Sequence, residues 1–156
     1  GVAIIVETMT DNKNRSAAEV RSTFSKYNGN LGVSGCVKHN FKKVGIISYN
    51  KSIGTFEDFF DYCASLDVDD VTENENDFVL ETNLDSFNII LQKLETRFSI
   101  PKFSEIEWKP LNFVDISDED SAKVLIKLLE TLEDLDDVQS VSSNFNINDS
   151  LMDKII

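Results

Sequence analysis

The stretch from Val44 to Trp108 reads VGIISYNKSIGTFEDFFDYCASLDVDDVTENENDFVLETNLDSFNIILQKLETRFSIPKFSEIEW. Six elements follow one another along it. Val44–Tyr49 is short, apolar and β-branched, the composition of a buried strand. Thr55-x-x-Asp58 opens a helix that sets Phe56, Phe59, Phe60 and Cys63 on one side. Val68–Val71 and Phe78–Glu81 read as short strands on either side of the polar turn ENEND. Leu84, Phe87, Ile90, Leu91 and Leu94 recur at helical spacing, and Phe103–Trp108 alternates as a strand does. The order β-α-β-β-α-β is that of a split-βαβ, ferredoxin-like unit.

Working outward, Val2–Thr8 predicts a strand, and Asp11–Asn14 is turn material. Ser16-x-x-Glu19 is a capping-box pattern ahead of Ala17, Val20, Phe24 and Tyr27, which predicts a helix over Ser16–Tyr27 ending at Gly29. After the glycine-rich connector GNLGVSG, Val37–Phe41 reads as a strand broken off by Lys42-Lys43. On the far side Pro110 interrupts the pattern, and a strand is expected near Leu111–Ile116. Ser117-x-x-Asp120 caps a helix with Val124, Leu125, Leu128, Leu129 and Leu132 facing in. Val138–Val141 closes as a strand, and Asn144–Ile156 is expected to be a short helix or frayed. The expected class is α+β. Two ferredoxin-like modules are expected, the second (44–109) inserted into the first (1–43 plus 110–156).

The chain has 156 residues, room for one ordinary domain or two small ones, and 41% of them are apolar, enough for a packed core. A formal net charge of −13 argues against a nonspecific DNA coat protein. That charge is segregated. Residues 1–50 hold seven bases and three acids, whereas residues 51–156 hold eight bases and 25 acids. Different faces are therefore expected to meet different partners. No apolar run reaches the length of a membrane span, and GVAIIVETM lacks the basic start of a signal peptide. Two cysteines are too few for a disulfide scaffold, so the composition is that of a soluble intracellular protein.

Little in the chain looks catalytic. His39 is the single histidine, which leaves a triad or a histidine-based metal site without a second imidazole. Cys36 is expected to be a small packed thiol and Cys63 a core residue. Gly29-x-x-Gly32 and Gly32-x-x-Gly35 match the GxxG of KH domains, but they join a helix to an expected strand rather than two helices. The runs DVDD (Asp67–Asp70) and EDLDD (Glu133–Asp137) lack EF-hand spacing and read as solvated loops and helix ends. No nucleophile–base pair is visible, so no catalytic residue, cofactor, metal or small-molecule substrate is expected.

The block TDNKNRSAAEVRSTFSKYNGNLGVSGCVKHNFKKVG, Thr10–Gly45, resembles the YebC/PmpR family, whose pattern runs approximately TDNxNRT…EVRxxFxKxGGNLGxxGSVxxxFxxxG. Asn28 stands where that pattern has its first glycine, and Cys36 where it has serine. LLETLEDLDDVQSVSSNF near the C-terminus resembles the family's LxxLEDxDDVQxVxxN segment. The resemblance implies domains two and three of a three-domain protein, with the basic N-terminal helical domain absent. It implies two kinds of activity. One is that of a non-enzymatic translation factor meeting rRNA or tRNA on the ribosome. The other is that of a DNA-binding transcriptional regulator, whose DNA contact would need the missing domain. The location implied is the cytoplasm for a bacterial protein and the mitochondrial matrix for a eukaryotic one. An acidic protein-interaction module is a third reading.

The nucleic-acid contacts expected from the basic segment are Lys13, Arg15, Arg21, Lys26, Asn30, Lys38, Lys42 and Lys43. The two arginines can meet phosphate bidentately, the lysines add charge, and Asn30 offers hydrogen-bonding ends.

Overall fold

The computed structural model describes residues 1–155. The chain is α+β and divides into two compact units, Gly1–Lys42 with Pro110–Ile156, and Lys43–Lys109. We call them the outer and inner units. The division falls within β2 (Phe41–Asn50).

After β2 the inner unit contains α2 (Phe56–Ala64), β3 (Asp70–Glu73), β4 (Asp77–Thr82), α3 (Leu84–Phe98) and β5 (Phe103–Pro110). Its sheet runs in the order β3-β4-β2-β5, the ferredoxin-like arrangement. β2 and β4 are antiparallel, with Ile47 opposite Leu80 and Tyr49 opposite Phe78. The pleat sends Phe78, Leu80 and Thr82 inward while Asp77, Val79 and Glu81 stay half-buried. Ile47, Tyr49, Phe78 and Leu80 then pack with Phe59 and Cys63 of α2 and Phe87, Ile90 and Leu94 of α3. Caps fix where these helices begin: Thr55 accepts from Asp58 N–H at 3.2 Å and Asn83 from Ser86 N–H at 2.9 Å. The Tyr49 hydroxyl donates to Ser99 C=O at 2.8 Å, and burial pushes its pKa up to about 12.

The outer unit holds β1 (Ile4–Thr8), α1 (Lys13–Lys26), β6 (Val114–Ile116), α4 (Glu119–Glu133), β7 (Val138–Ser143), β8 (Phe145–Ile147) and α5 (Asp149–Ile155). β1 pairs antiparallel with β7, Val6 opposite Val141, and β6 pairs in parallel with β8. The buried Asn144 joins these two pairs. Its N–H donates to Ala3 C=O (3.2 Å), its C=O accepts from Val114 N–H (2.7 Å), and its Oδ1 accepts from Ala3 N–H (2.8 Å). Val20 and Phe24 of α1 meet Leu128 and Leu132 of α4, with Ile4, Val6, Val138 and Val141 of the sheet packed against them.

The structure departs from several expectations. Val37–Phe41 is not a strand: Lys38–Asn40 forms a 3-10 turn after Gly35, whose φ of 82° reverses the chain. β2 instead starts at Phe41 and runs unbroken through Lys42 and Lys43, both exposed, where a strand tolerates consecutive charges on opposite faces. Pro110 ends β5 without interrupting it, since a strand at the end of a sheet need not donate outward. α1 starts three residues before Ser16, capped by Asn12, and α4 is capped by Asp118 rather than Ser117. At the end of α1 the left-handed residue is Asn28 (φ 65°) and not Gly29. Asn is the non-glycine residue that best tolerates this region, consistent with its standing where the family pattern has glycine. The segment after Asn144 forms β8 and α5 instead of fraying.

Gly45 lets α3 lie close on β2. A Cβ there would run into the Phe87 ring and lie 2.6 Å from Thr82 Oγ1. Gly45→Ala is expected to cost about 1–3 kcal/mol through overpacking. A urea titration checks this, with the midpoint lowered and the m-value unchanged.

Candidate nucleic-acid interface

The basic helix α1 is held at its start by one carboxylate. Asp137 lies just before β7, and its Oδ2 accepts from Ser16 Oγ (2.6 Å), Thr10 Oγ1 (2.9 Å) and Arg15 Nη2 (2.9 Å). Its backbone C=O accepts from Met9 N–H at 2.9 Å. Arg15 reaches Asp11 as well, at 2.9 Å. Asn12 completes the start by accepting from Arg15 N–H at 3.1 Å. The Ser16 bond, then those of Arg15 and Thr10, hold the Asp137 carboxyl down at about 2. The guanidinium of Arg15 is raised in turn, chiefly by its bond to Asp137.

The expected contact residues divide by what already engages them. Arg15 donates to two carboxylates and its side chain is 47% exposed. Lys26 is exposed, with its ammonium 5.5 Å from the Tyr27 ring centroid. Lys38 is exposed in the 3-10 turn, its stem lying against Gly35. Asn30 is exposed in the connector. Among the described residues, Lys13, Arg21 and Lys42 form no ion pair, and all three are exposed. Helical geometry puts Lys13 and Arg21 about 12 Å apart along α1 on adjoining flanks, with Arg15 and Lys26 on the opposite side. These residues all belong to the outer unit. Lys43 belongs to the inner unit, where its ammonium lies 5.1 Å from the Trp108 ring centroid.

Asp137 was missed as a site residue because EDLDD reads as a solvated helix end. It lies within the C-terminal segment that carries the family resemblance, and that was the available signal. Cys36 is exposed rather than packed. Cys63 is buried, and burial pushes its thiol up to about 12. His39 lies exposed in the 3-10 turn and not on a strand. Among the described residues, no group of three His, Cys, Asp or Glu side chains could hold a metal ion. Among the described residues, too, no helix is long and apolar enough to cross a membrane.

The family model for the second and third domain of TACO1/YebC matches residues 1–145. The chain belongs to the TACO1/YebC family. A "probable transcriptional regulatory protein" of Rickettsia canadensis is 44% identical over 151 residues, 97% of this chain and 60% of the relative. One of the same name from Rickettsia felis is 43% identical over 155 residues, 99% of this chain and 62% of the relative. A crystal structure of a conserved hypothetical protein from Aquifex aeolicus superimposes with a TM-score of 0.84 at 38% identity, covering 96% of this chain and 61% of that one. The chain thus spans about three fifths of these relatives, and the TACO1/YebC match is to two domains of the family.

The Asp137 carboxyl is depressed in the folded state, so its contribution is complete above its ordinary value of 3.8 and is lost as pH falls towards about 2. Asp137→Asn is expected to lower the urea midpoint of unfolding at pH 7. The gap from wild type should narrow progressively below about pH 4, and a gap that stays constant down to pH 3 would remove Asp137 from this role.

Proposed function

We propose that this chain is the body of a non-enzymatic translation factor that contacts ribosomal RNA or tRNA through the outer unit. The observation that carries the reading is the set of exposed cations, Lys13, Arg21 and Lys42, left without ion pairs among the described residues of a strongly acidic protein. Lys26, Lys38 and Asn30 flank them in sequence, and Arg15 contributes what its two carboxylates leave exposed. Net charge bears on the kind of partner. A chain at −13 is repelled by bare duplex DNA. A ribosome presents phosphate and basic protein side by side, so both halves of this charge distribution find complements there.

Three to five phosphate contacts on single-stranded RNA give a slope of about −2 to −4 in log affinity against log salt. Binding should therefore weaken by roughly one to two orders of magnitude between 50 and 200 mM salt. The names of the relatives favour a second reading, a transcriptional regulator.

Co-sedimentation with ribosomes across that salt range tests the first reading against the second. Lys13→Ala/Arg21→Ala is expected to weaken binding about tenfold or more and to flatten the salt slope by about 0.7 per residue removed. Retention on duplex DNA with no co-sedimentation at any salt would select the transcriptional reading.

A further inference from the structure

The inner unit has an open sheet edge that carries an acidic row. β5 is the last strand in the order β3-β4-β2-β5, and Phe103–Glu107 are exposed without interruption. Two of these exposed residues are large and apolar, Phe103 at 36% and Ile106 at 51%. A strand edge of this kind offers a row of backbone donors and acceptors to any extended chain that can lie beside it. Pro101 and Pro110 stand at the two ends of the strand and confine the usable edge to about seven residues.

Glu105 and Glu107 supply the selectivity. They share one face of β5 with Lys109, which reaches Glu81 of β4 at 2.7 Å on the side of the sheet turned away from the core. Lys109 is thus neutralised by its own sheet, leaving the two glutamates of the same row. Although Glu107 is exposed as a residue, its carboxyl is raised, first by partial loss of water around it and then by its hydrogen bond to and charge repulsion from Glu105. The unit as a whole carries fourteen acids against six bases over Lys43–Lys109. A second copy of the chain is a poor occupant: antiparallel pairing of two β5 edges centred on Ile106 would set Glu105 against Glu107 across the seam, and like charges directly opposite are destabilising.

We propose that the β5 edge, Phe103–Lys109, is a docking site for an extended basic segment of a partner protein, which adds to the inner sheet as a fifth strand. Alternate lysines or arginines of that segment meet Glu105 and Glu107, and its intervening apolar side chains lie beside Ile106. This interaction is independent of nucleic acid and would coexist with RNA contact by the outer unit.

The test uses the whole chain and a fluorescent nine-residue peptide alternating lysine with valine, with a peptide alternating glutamate with valine as control. Anisotropy should show salt-sensitive binding of the lysine peptide and none of the glutamate peptide. Amide hydrogen exchange should slow at Phe103–Lys109. Glu105→Lys/Glu107→Lys should abolish binding. Glu105→Gln/Glu107→Gln, which keeps size and shape, should weaken it at least tenfold, and circular dichroism would show that both variants are folded. Equal binding of both peptides, protection confined to other acidic surfaces such as α2, or unchanged affinity in the glutamine variant would each overturn the proposal. Concentration-dependent dimerisation with protection of the same edge would assign the edge to self-pairing instead.

Discussion

The carboxylate of Asp137 is the interaction on which the outer unit turns. One oxygen collects a serine hydroxyl, a threonine hydroxyl and an arginine N–H, from three residues spread over seven positions at the start of α1. Asp137 itself lies at the entrance to β7, the strand that pairs with β1. The first strand, the first helix and the last long strand of the unit are thereby tied at one point. Charge-assisted hydrogen bonds are stronger than neutral ones, and several on one oxygen fix direction as well as distance. The orientation of α1, and with it the placement of Lys13 and Arg21, follows from this anchor at one end and the Asn28 turn at the other.

This anchor changes what the family pattern signifies. In TDNKNRS, Thr10, Arg15 and Ser16 bind Asp137, Asp11 pairs with Arg15, and Asn12 caps the helix. Most of the block is therefore spent on holding the chain together. Arg15 is the least free of the basic residues of α1, although its residue type alone marks it as a phosphate ligand. Lys13 and Arg21, which form no ion pair among the described residues, are better placed to meet an external anion. Asn144, at the end of the second block, has a comparable structural use in joining the two strand pairs.

The inner unit was legible in the sequence because each of its elements is local. Thr55 and Asn83 cap helices with their own next turn, β3 and β4 form a short hairpin, and the spacing of α2 finds the buried Phe59 and Cys63, although Phe60, expected on the same side, is 46% exposed. The outer unit was less legible because its pieces lie far apart in the chain. Val37–Phe41 alternates acceptably for a strand, and only the turn at Gly35 shows why the chain coils there instead. β8 is three residues long and exists through its pairing with β6, thirty-one positions away in register. Asp137 is indistinguishable from its acidic neighbours until Thr10, Arg15 and Ser16 are brought to it across more than a hundred residues. The eight candidate contacts were legible as charge; which of them the fold already engages was not.

Cross-linking addresses the central claim most directly, namely that the basic segment anchored by Asp137 is the surface that touches nucleic acid. Ribosomes carrying the bound chain would be irradiated at 254 nm, and the RNA-linked peptides located by mass spectrometry. The account predicts adducts between Lys13 and Lys43, concentrated near Lys13, Arg21 and Lys42, with few in the acidic remainder. Adducts confined to residues 44–109, or binding without any RNA adduct, would contradict it.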